Sequence, residues 1–242
     1  MANGTLVRRR SVDSHTCYIE LLLNDEVVSN LRVFHRSLRI GSVIASFGGI
    51  GYVETDEAFR RRGFARQILD EANRYLGEAG LDLGLLFGIQ DFYQRWGYAP
   101  AIPEYEVTIE TAALTDASLG MRAVAATGAH RSDVRDLYNR LNGTRSCSVV
   151  RHEDTWPFAH PEDDERGDFG VRGCFDAHVL LDHSGAVRGY VCVDVDERFD
   201  IGPVRVSEIG CAGSDAFESL AALIAGIAKD RERDAVTVFA PP

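Results

Sequence analysis

Long apolar runs are missing from this chain of 242 residues. None approaches the roughly 20 residues that a membrane-spanning helix needs. No apolar segment of signal-peptide length follows Arg8-Arg9-Arg10 before polar residues return. We therefore expect a cytoplasmic protein with no membrane partner. Cysteine is sparse and scattered: Cys17, Cys147, Cys174, Cys192 and Cys211 include no closely spaced pair, which excludes a metal clip or redox motif. Their odd number argues against a secreted disulfide framework and leaves buried structural thiols as the preferred reading. The seven histidines are equally dispersed, none at ligand spacing from another His or Cys, so no metal is expected. Positive charge is also in deficit, with 26 Lys and Arg against 37 Asp and Glu and a net charge of −11. A phosphate backbone rewards a basic face, so nucleic acid is excluded as a partner. The acidic balance suits a cationic small molecule or basic peptide, or simply maintains solubility.

What is present suits a packed globular protein, with 45% apolar and 26% charged residues and a length that allows one large domain or two smaller ones. Apolar and β-branched runs predict strands over Cys17–Leu23 and Val27–His35 around the turn Asn24-Asp25-Glu26. Further strands are expected around Ile40 and from Phe47 to Thr55. Phe64, Ala65, Ile68, Leu69, Ala72, Tyr75, Leu76 and Ala79 share one helical face, and Gly80 supplies a left-handed stop. Leu81–Phe87 reads as a buried strand, Asp91–Trp96 as a short helix, Tyr105–Ile109 as a strand and Thr111–Gly120 as a linker. Beyond it come a short strand near Met121–Ala125, a helix from Ser132 and a polar loop, Arg151–Arg172, carrying the acidic run Glu162-Asp163-Asp164-Glu165. A hairpin (Ala177–Leu181, Val187–Val195), a strand (Val204–Cys211), a helix (Asp215–Lys229) and a strand (Ala235–Phe239) close the chain. That helix is expected to turn Phe217, Leu220, Leu223, Ile224 and Ile227 inward. The order hairpin, strand, loop, helix, strand thus occurs twice, a structural duplication in order more than in letters.

The chemistry is concentrated in Gly51–Gln67, where a strand runs through three consecutive arginines into a helix. First-turn N–H groups lack internal partners and, with the helix dipole, attract anions. Gly63 and small Ala65 allow close approach to the backbone, and Arg60, Arg61 and Arg62 add positive charge, a combination that suits a pyrophosphate. An arginine-rich solvated helix start is the competing reading. Neither GxxxxGK[ST] nor GxGxxG is found between strand and helix, which sets aside two familiar phosphate loops.

The loop resembles the coenzyme A signature [Q/R]-x-x-G-x-[G/A] of the GNAT superfamily of N-acetyltransferases, matched by Arg60, Gly63 and Ala65 directly after a strand. A second block, from Leu86 through Phe92-Tyr93 to Gly97-Tyr98, resembles the family's later segment, where a strand leads into FYxxxG[FY]. The resemblance implies an α/β (α+β) fold of tandem GNAT-like domains, each a mixed, mostly antiparallel sheet flanked by helices. It places an acetyl-CoA-binding catalytic domain at 1–112 and a second, degenerate domain at 113–242. Val53 and Thr55 would offer backbone groups to the pantetheine arm. The amides of Arg61, Arg62, Gly63, Phe64 and Ala65 would hold the pyrophosphate, and Tyr93 would protonate the departing thiolate. More narrowly, the chain is similar to the enhanced intracellular survival (Eis) group, with tandem acetyltransferase-like domains followed by a sterol-carrier-like domain. That group assembles, and the apolar second-half helix would serve the interface of a homo-oligomer.

Three departures stand out. About sixteen residues precede Cys17, too few for the helix pair that normally comes first. No sterol-carrier-like domain is expected after the second half. The loop Gly210–Phe217 carries neither Arg-x-x-Gly nor any basic residue. Nor is there a carboxylate near Gly48-Gly49, where many relatives place a base. Glu54 is the nearest on that strand and Glu20 lies on a neighbour, either acting through water or merely solvated or structural. The implied activity is transfer of an acetyl group from acetyl-CoA to a primary amine, small-molecule or peptidyl, by direct attack, with a backbone N–H near Val53 stabilising the oxyanion. No Cys or Ser is set for a covalent intermediate. A polyamine, aminoglycoside or lysine side chain fits the acidic balance. The alternative is a non-catalytic coenzyme A-binding or protein-interaction module with a degenerate acetyltransferase fold.

Overall fold

The computed structural model describes residues 5–89, 91–103, 105–114, 117–153, 175–195 and 202–240. The expected acidic loop beyond Glu153, together with Gln90, Cys174 and Pro241-Pro242, lies outside the described residues. The first strands are β1 (Thr5–Ser11), β2 (Thr16–Leu23), β3 (Glu26–Ile40) and β4 (Val43–Thr55), followed by helix α1 (Phe64–Glu78) and β5 (Leu83–Leu86). Next come β6 (Tyr105–Glu110), β7 (Arg122–Ala125), α2 (Arg131–Leu141) and β8 (Ser148–Val150). The chain closes with β9 (Phe175–Leu181), β10 (Val187–Asp194), β11 (Val204–Cys211), α3 (Ser214–Asp230) and β12 (Ala235–Ala240). Two compact units result, Met1–Ala101 with Arg145–Val150, and Ile102–Thr144 with Arg151–Pro242. Each is a mixed sheet flanked by few helices, as the family pattern implies.

In the first unit the sheet order is β1-β2-β3-β4-β5, antiparallel except for the parallel β4–β5 pair that α1 connects. Asn24 and Asp25, with φ of 53° and 67°, make the two-residue turn between β2 and β3. The α1 face predicted from its periodicity packs Phe64, Ile68, Leu69, Ala72 and Leu76 onto Ile19, Leu21, Leu31, Val33 and Ile50. Each fully buried Leu or Ile in such a cluster contributes roughly 1.5–3 kcal/mol. Leu76 sits where two paired strands both carry glycine. A Cβ on Gly48 would lie 2.2 Å from Leu76 Cδ2, and one on Gly84 would lie 2.7 Å from Leu76 Cδ1. At Gly48 the lack of a carboxylate therefore has a packing cause: the helix occupies the space.

The second unit has the order β6-β12-β11-β10-β9-β7, again with one parallel pair, β11–β12, spanned by a helix, α3. Its core joins Leu180, Val191, Val193, Val206, Leu220, Ile224 and Val236. The helix pattern is read correctly at Leu220 and Ile224, but Phe217, expected inward, is 58% exposed, and Ala216 and Ser219 take inward places instead.

Other expectations are corrected. Thr5–Ser11, assigned no element from sequence, is a strand in which Arg9 reaches α1, bonding Glu71 and Glu78 at 2.5 Å each, while Arg8 and Arg10 pair with Glu20. The strand from Val27 does not stop at His35 but runs to Ile40. Ser148–Val150, assigned no element, pairs with Ser37–Arg39 in the first sheet. The linker read over Thr111–Gly120 begins with a 3-10 turn, Thr111–Leu114, whose Thr111 is buried and donates to the Arg233 carbonyl.

Gly48→Ala is expected to lower the stability of the first unit by about 1–3 kcal/mol through overpacking against Leu76. Gly49→Ala, whose Cβ would approach nothing closer than 3.5 Å, should change it by less than about 0.5 kcal/mol. Urea unfolding midpoints at unchanged m-value check both.

Candidate active site

The site begins where β4 loses its neighbour. Parallel pairing with β5 ends at Ile50–Leu86, while β4 continues to Thr55. On the other side the β3 pairing skips. Asn30 faces Glu54 and Arg32 faces Gly51, leaving Leu31 opposite both Tyr52 and Val53, a β-bulge. Tyr52 takes φ of 53°, a left-handed conformation costing a non-glycine residue of order 1–2 kcal/mol. Its ring is gripped by Arg32, 4.1 Å from guanidinium carbon to ring centroid, and lies edge-on to Phe34.

Beyond the bulge the chain is bent toward the helix by local bonds. Thr55 Oγ1 lies 2.8 Å from Ser29 Oγ, and the Thr55 carbonyl accepts from Arg60 Nε at 3.3 Å. Asp56 caps the 3-10 turn Glu57–Phe59 by accepting from the Ala58 amide at 3.0 Å. Gly63 is the N-cap of α1 with φ of 80°, no side chain caps the first turn, and that turn carries no acidic residue. A Cβ at Gly63 would meet nothing within 4 Å, so the space before the helix is open. Arg60, Arg61 and Arg62 are exposed around it, Arg62 folded against Phe59 and donating to the Ala58 carbonyl. Phe64 is buried and anchors the helix start, with Ala65 half-buried behind it. Orphan helix N–H groups, an open glycine and three cations fit a pyrophosphate.

The expected helix Asp91–Trp96 is a 3-10 turn, Tyr93–Trp96, closed by Gly97 at φ of 88°. Asn73 on α1 ties it down by donating to the Trp96 carbonyl at 3.0 Å and accepting from the Tyr98 hydroxyl at 2.9 Å. Tyr93 packs against Phe92, Trp96 and Tyr98, and Val53, Phe59 and Tyr93 all lie against the same core cluster. Among the described residues its hydroxyl has no hydrogen-bond partner. Burial pushes the phenol above its ordinary value of 10, so it stays protonated at neutral pH.

The two candidate carboxylates part ways. Glu54 is exposed on the bulged strand, open to solvent. Glu20 is buried and accepts from Arg8 Nε and Nη2 at 3.0 and 2.7 Å and from Arg10 at 3.3 Å. Burial alone would raise its carboxyl, but these guanidiniums outweigh it and hold Glu20 below its usual range. A carboxylate bound this way is a weak base, which removes Glu20 from the candidates and leaves it structural. Sequence reading missed Tyr52, Arg32 and Asn73, because neither a bulge nor a tie across elements has a local signature. Among the described residues no group of three or more His, Cys, Asp or Glu could hold a metal ion, and no helix is long and apolar enough to cross a membrane.

Residues 6–101 match the family described as acetyltransferase (GNAT) domain. No curated protein matches the sequence. Among solved structures, the "Probable N-Acyltransferase" of Enterococcus faecalis V583 aligns with 16% identity and a TM-score of 0.72 over 98% of this chain and 65% of its own. A GCN5-related N-acetyltransferase from Kribbella flavida aligns with 18% identity and a TM-score of 0.68 over 93% and 53%. Eis1 from Mycobacterium abscessus aligns with 14% identity and a TM-score of 0.61 over 98% and 66%. The chain therefore shares its fold with these proteins, and it spans from about half to two-thirds of their length.

Because Glu20 has a lowered carboxyl pKa in the folded state, its contribution is complete above the ordinary carboxyl range and is lost as pH falls through the lowered value. Wild type should exceed Glu20→Gln in stability at neutral pH, and the difference should shrink as pH falls below about 4.5. Thermal midpoints of the pair across an acid series measure it.

Proposed function

We propose that the first unit transfers an acetyl group from acetyl-CoA to a primary amine, acting in the cytoplasm on a small-molecule or peptidyl acceptor. The observation that carries this reading is that β4 loses its β5 partner at Ile50, close to the bulge at Tyr52-Val53 and six residues before Asp56 begins the bend to Gly63. An extended arm lying along β4 beyond Ile50 would reach the uncapped helix start with its phosphates and the bulge with its acyl end. Bound there, acetyl-CoA supplies an activated thioester carbonyl.

The chain's own groups then have distinct tasks. The amides from Arg61 to Ala65, with the charges of Arg60, Arg61 and Arg62, hold the pyrophosphate. Backbone groups of Val53 orient the arm and offer a donor to the developing oxyanion. The Thr55 carbonyl, engaged by Arg60, leaves less for an arm to use, so Val53 carries most of that contact. Tyr93, protonated and half-buried, gives its proton to the leaving sulfur. Glu54, reaching the acceptor through water, is the remaining candidate base, and an amine arriving neutral needs none stronger. The free thiols Cys17, Cys147, Cys192 and Cys211 are in keeping with a cytoplasmic setting. We read the second unit as a tandem, non-catalytic companion, because its corresponding helix start carries Asp215 and no basic residue.

Calorimetry with acetyl-CoA tests the reading. Wild type should bind, and Gly63→Glu, with an anion in the open space before α1, should lose binding at least tenfold, about 1.4 kcal/mol, while remaining folded by circular dichroism. Failure of folded wild type to bind would reject the assignment. Thiol release with a panel of amines gives the second measurement. Tyr93→Phe should lower kcat by roughly 10²–10⁴-fold with acetyl-CoA affinity retained. Since the acid form is required and its pKa is raised, wild-type turnover should show no descending tyrosine limb below pH about 10.

A further inference from the structure

One face of the first sheet carries an alternating ladder of cations and rings. The Arg10 guanidinium carbon lies 4.6 Å from the Tyr18 ring centroid, Arg32 lies 4.8 Å from Tyr18 on its other neighbour strand, and the same Arg32 lies 4.1 Å from the Tyr52 ring. The register makes this a straight line across the sheet, since Arg10 faces Tyr18 and Tyr18 faces Arg32, which in turn faces Gly51 beside Tyr52. Phe34 closes the end of the ladder against Tyr52, with ring centroids 6.2 Å apart. The rungs therefore run from the edge strand β1 to the bulge of β4.

We propose that Arg32 and Tyr52 are positioning residues: the guanidinium of Arg32, held between the rings of Tyr18 and Tyr52, locks the left-handed bulge and fixes the Val53 backbone for acyl transfer. This rests on the acetyltransferase reading for its kinetic consequence, though the grip on the bulge does not. The physical reason is direct. Tyr52 would relax from φ of 53° to ordinary extended backbone if nothing held its ring. Relaxation would turn the Tyr52–Val53 peptide and return the strand to regular pairing. A guanidinium stacks flat on aromatic faces and serves two rings at once, whereas an ammonium engages chiefly one. Arg10, Tyr18, Arg32 and Tyr52 belong to β1–β4 and not to the pyrophosphate loop or the turn that carries Tyr93. Loss of the ladder should therefore lower kcat more than coenzyme A affinity, which keeps its phosphate contacts and loses only the arm contact at Val53.

The experiment uses Arg32→Met, Arg32→Lys, Tyr52→Phe and Tyr52→Gly. NMR couplings report φ at position 52, calorimetry gives the affinity for coenzyme A itself, and thiol release gives kcat and KM. Arg32→Met should move Tyr52 out of the left-handed region and lower kcat about 10- to 100-fold, as expected for a small misplacement of the reacting geometry. Its affinity for coenzyme A should fall by less than kcat does, and Arg32→Lys should recover part of the loss. Tyr52→Phe, which keeps the ring, should behave as wild type. Tyr52→Gly, which takes the backbone angle freely but has no ring, should also lose kcat. An unchanged φ at Tyr52 in folded Arg32→Met would overturn the proposal, as would full kcat in Tyr52→Gly or an equal loss of kcat and coenzyme A affinity in Arg32→Met. If wild type binds acetyl-CoA but acetylates no amine, the acetyltransferase reading falls, and the angle at Tyr52 in Arg32→Met still decides whether the ladder holds the bulge.

Discussion

The parting of β4 from β5 after Ile50 is the constraint on which the first unit's chemistry depends. A parallel pair needs a crossover, and α1 supplies it by lying across both strands. That helix can come close only because Gly48 and Gly84, paired with each other, leave room for Leu76. Close packing at one end of the pair, a β5 only four residues long and a bulge in β4 then leave the other end open. The same helix presents its uncapped first turn beside that opening and, through Asn73, holds the turn that carries Tyr93. One element thus provides the proposed anion site and the anchor of the proposed acid.

How much of this can be read from letters follows from how local each signal is. The α1 face is legible because burial at 3.6-residue spacing needs only one neighbour surface, and Phe64, Ile68, Leu69, Ala72 and Leu76 all lie where periodicity puts them. The glycine at the helix start is legible because a left-handed N-cap has few alternatives, and Gly63 occupies it. Strand β1 is not, since a row of arginines reads as solvated until Glu20, Glu71 and Glu78, from two other elements, are known to meet it. Ser148–Val150 is hidden for the same reason, being a strand only because Ser37–Arg39 offers an edge more than a hundred residues earlier. The bulge at Tyr52-Val53 leaves no mark at all in GYVET. It is a mismatch between two strands and belongs to neither alone.

The two units sharpen the point, because they share geometry and differ in charge. In the second, parallel pairing of β11 with β12 ends at Val206–Val238 while β11 runs on to Cys211, so this strand too has a stretch without its parallel partner. Its pairing with β10 also slips at the same place, Cys192 facing Glu208 and Val193 facing Val206, which leaves Ser207 as the extra residue. Opening and bulge therefore recur together. Gly213 stands before α3 as Gly63 stands before α1, again with no side-chain cap.

What differs is where the arginines are used. The first unit exposes three of them ahead of its helix, and the second has Asp215 in the first turn, which opposes any anion that the helix dipole would draw. Beside the second bulge, Arg151 makes two bonds of 2.6 and 2.5 Å to Glu208, whose carboxylate also accepts from the buried Tyr190 at 2.6 Å. Arg151 further stacks on Tyr138 at 3.5 Å, and its charge is held on by the carboxylate despite burial. A guanidinium thus braces each bulge, against rings in one unit and against a carboxylate and a ring in the other. In the second unit that brace places the Glu208 carboxylate, already engaged by Arg151 and Tyr190, next to the bulge. In the first, the brace at the bulge is a cation between rings. The same strand opening and bulge are present twice, and the placement of a few charges confines the proposed chemistry to the first copy.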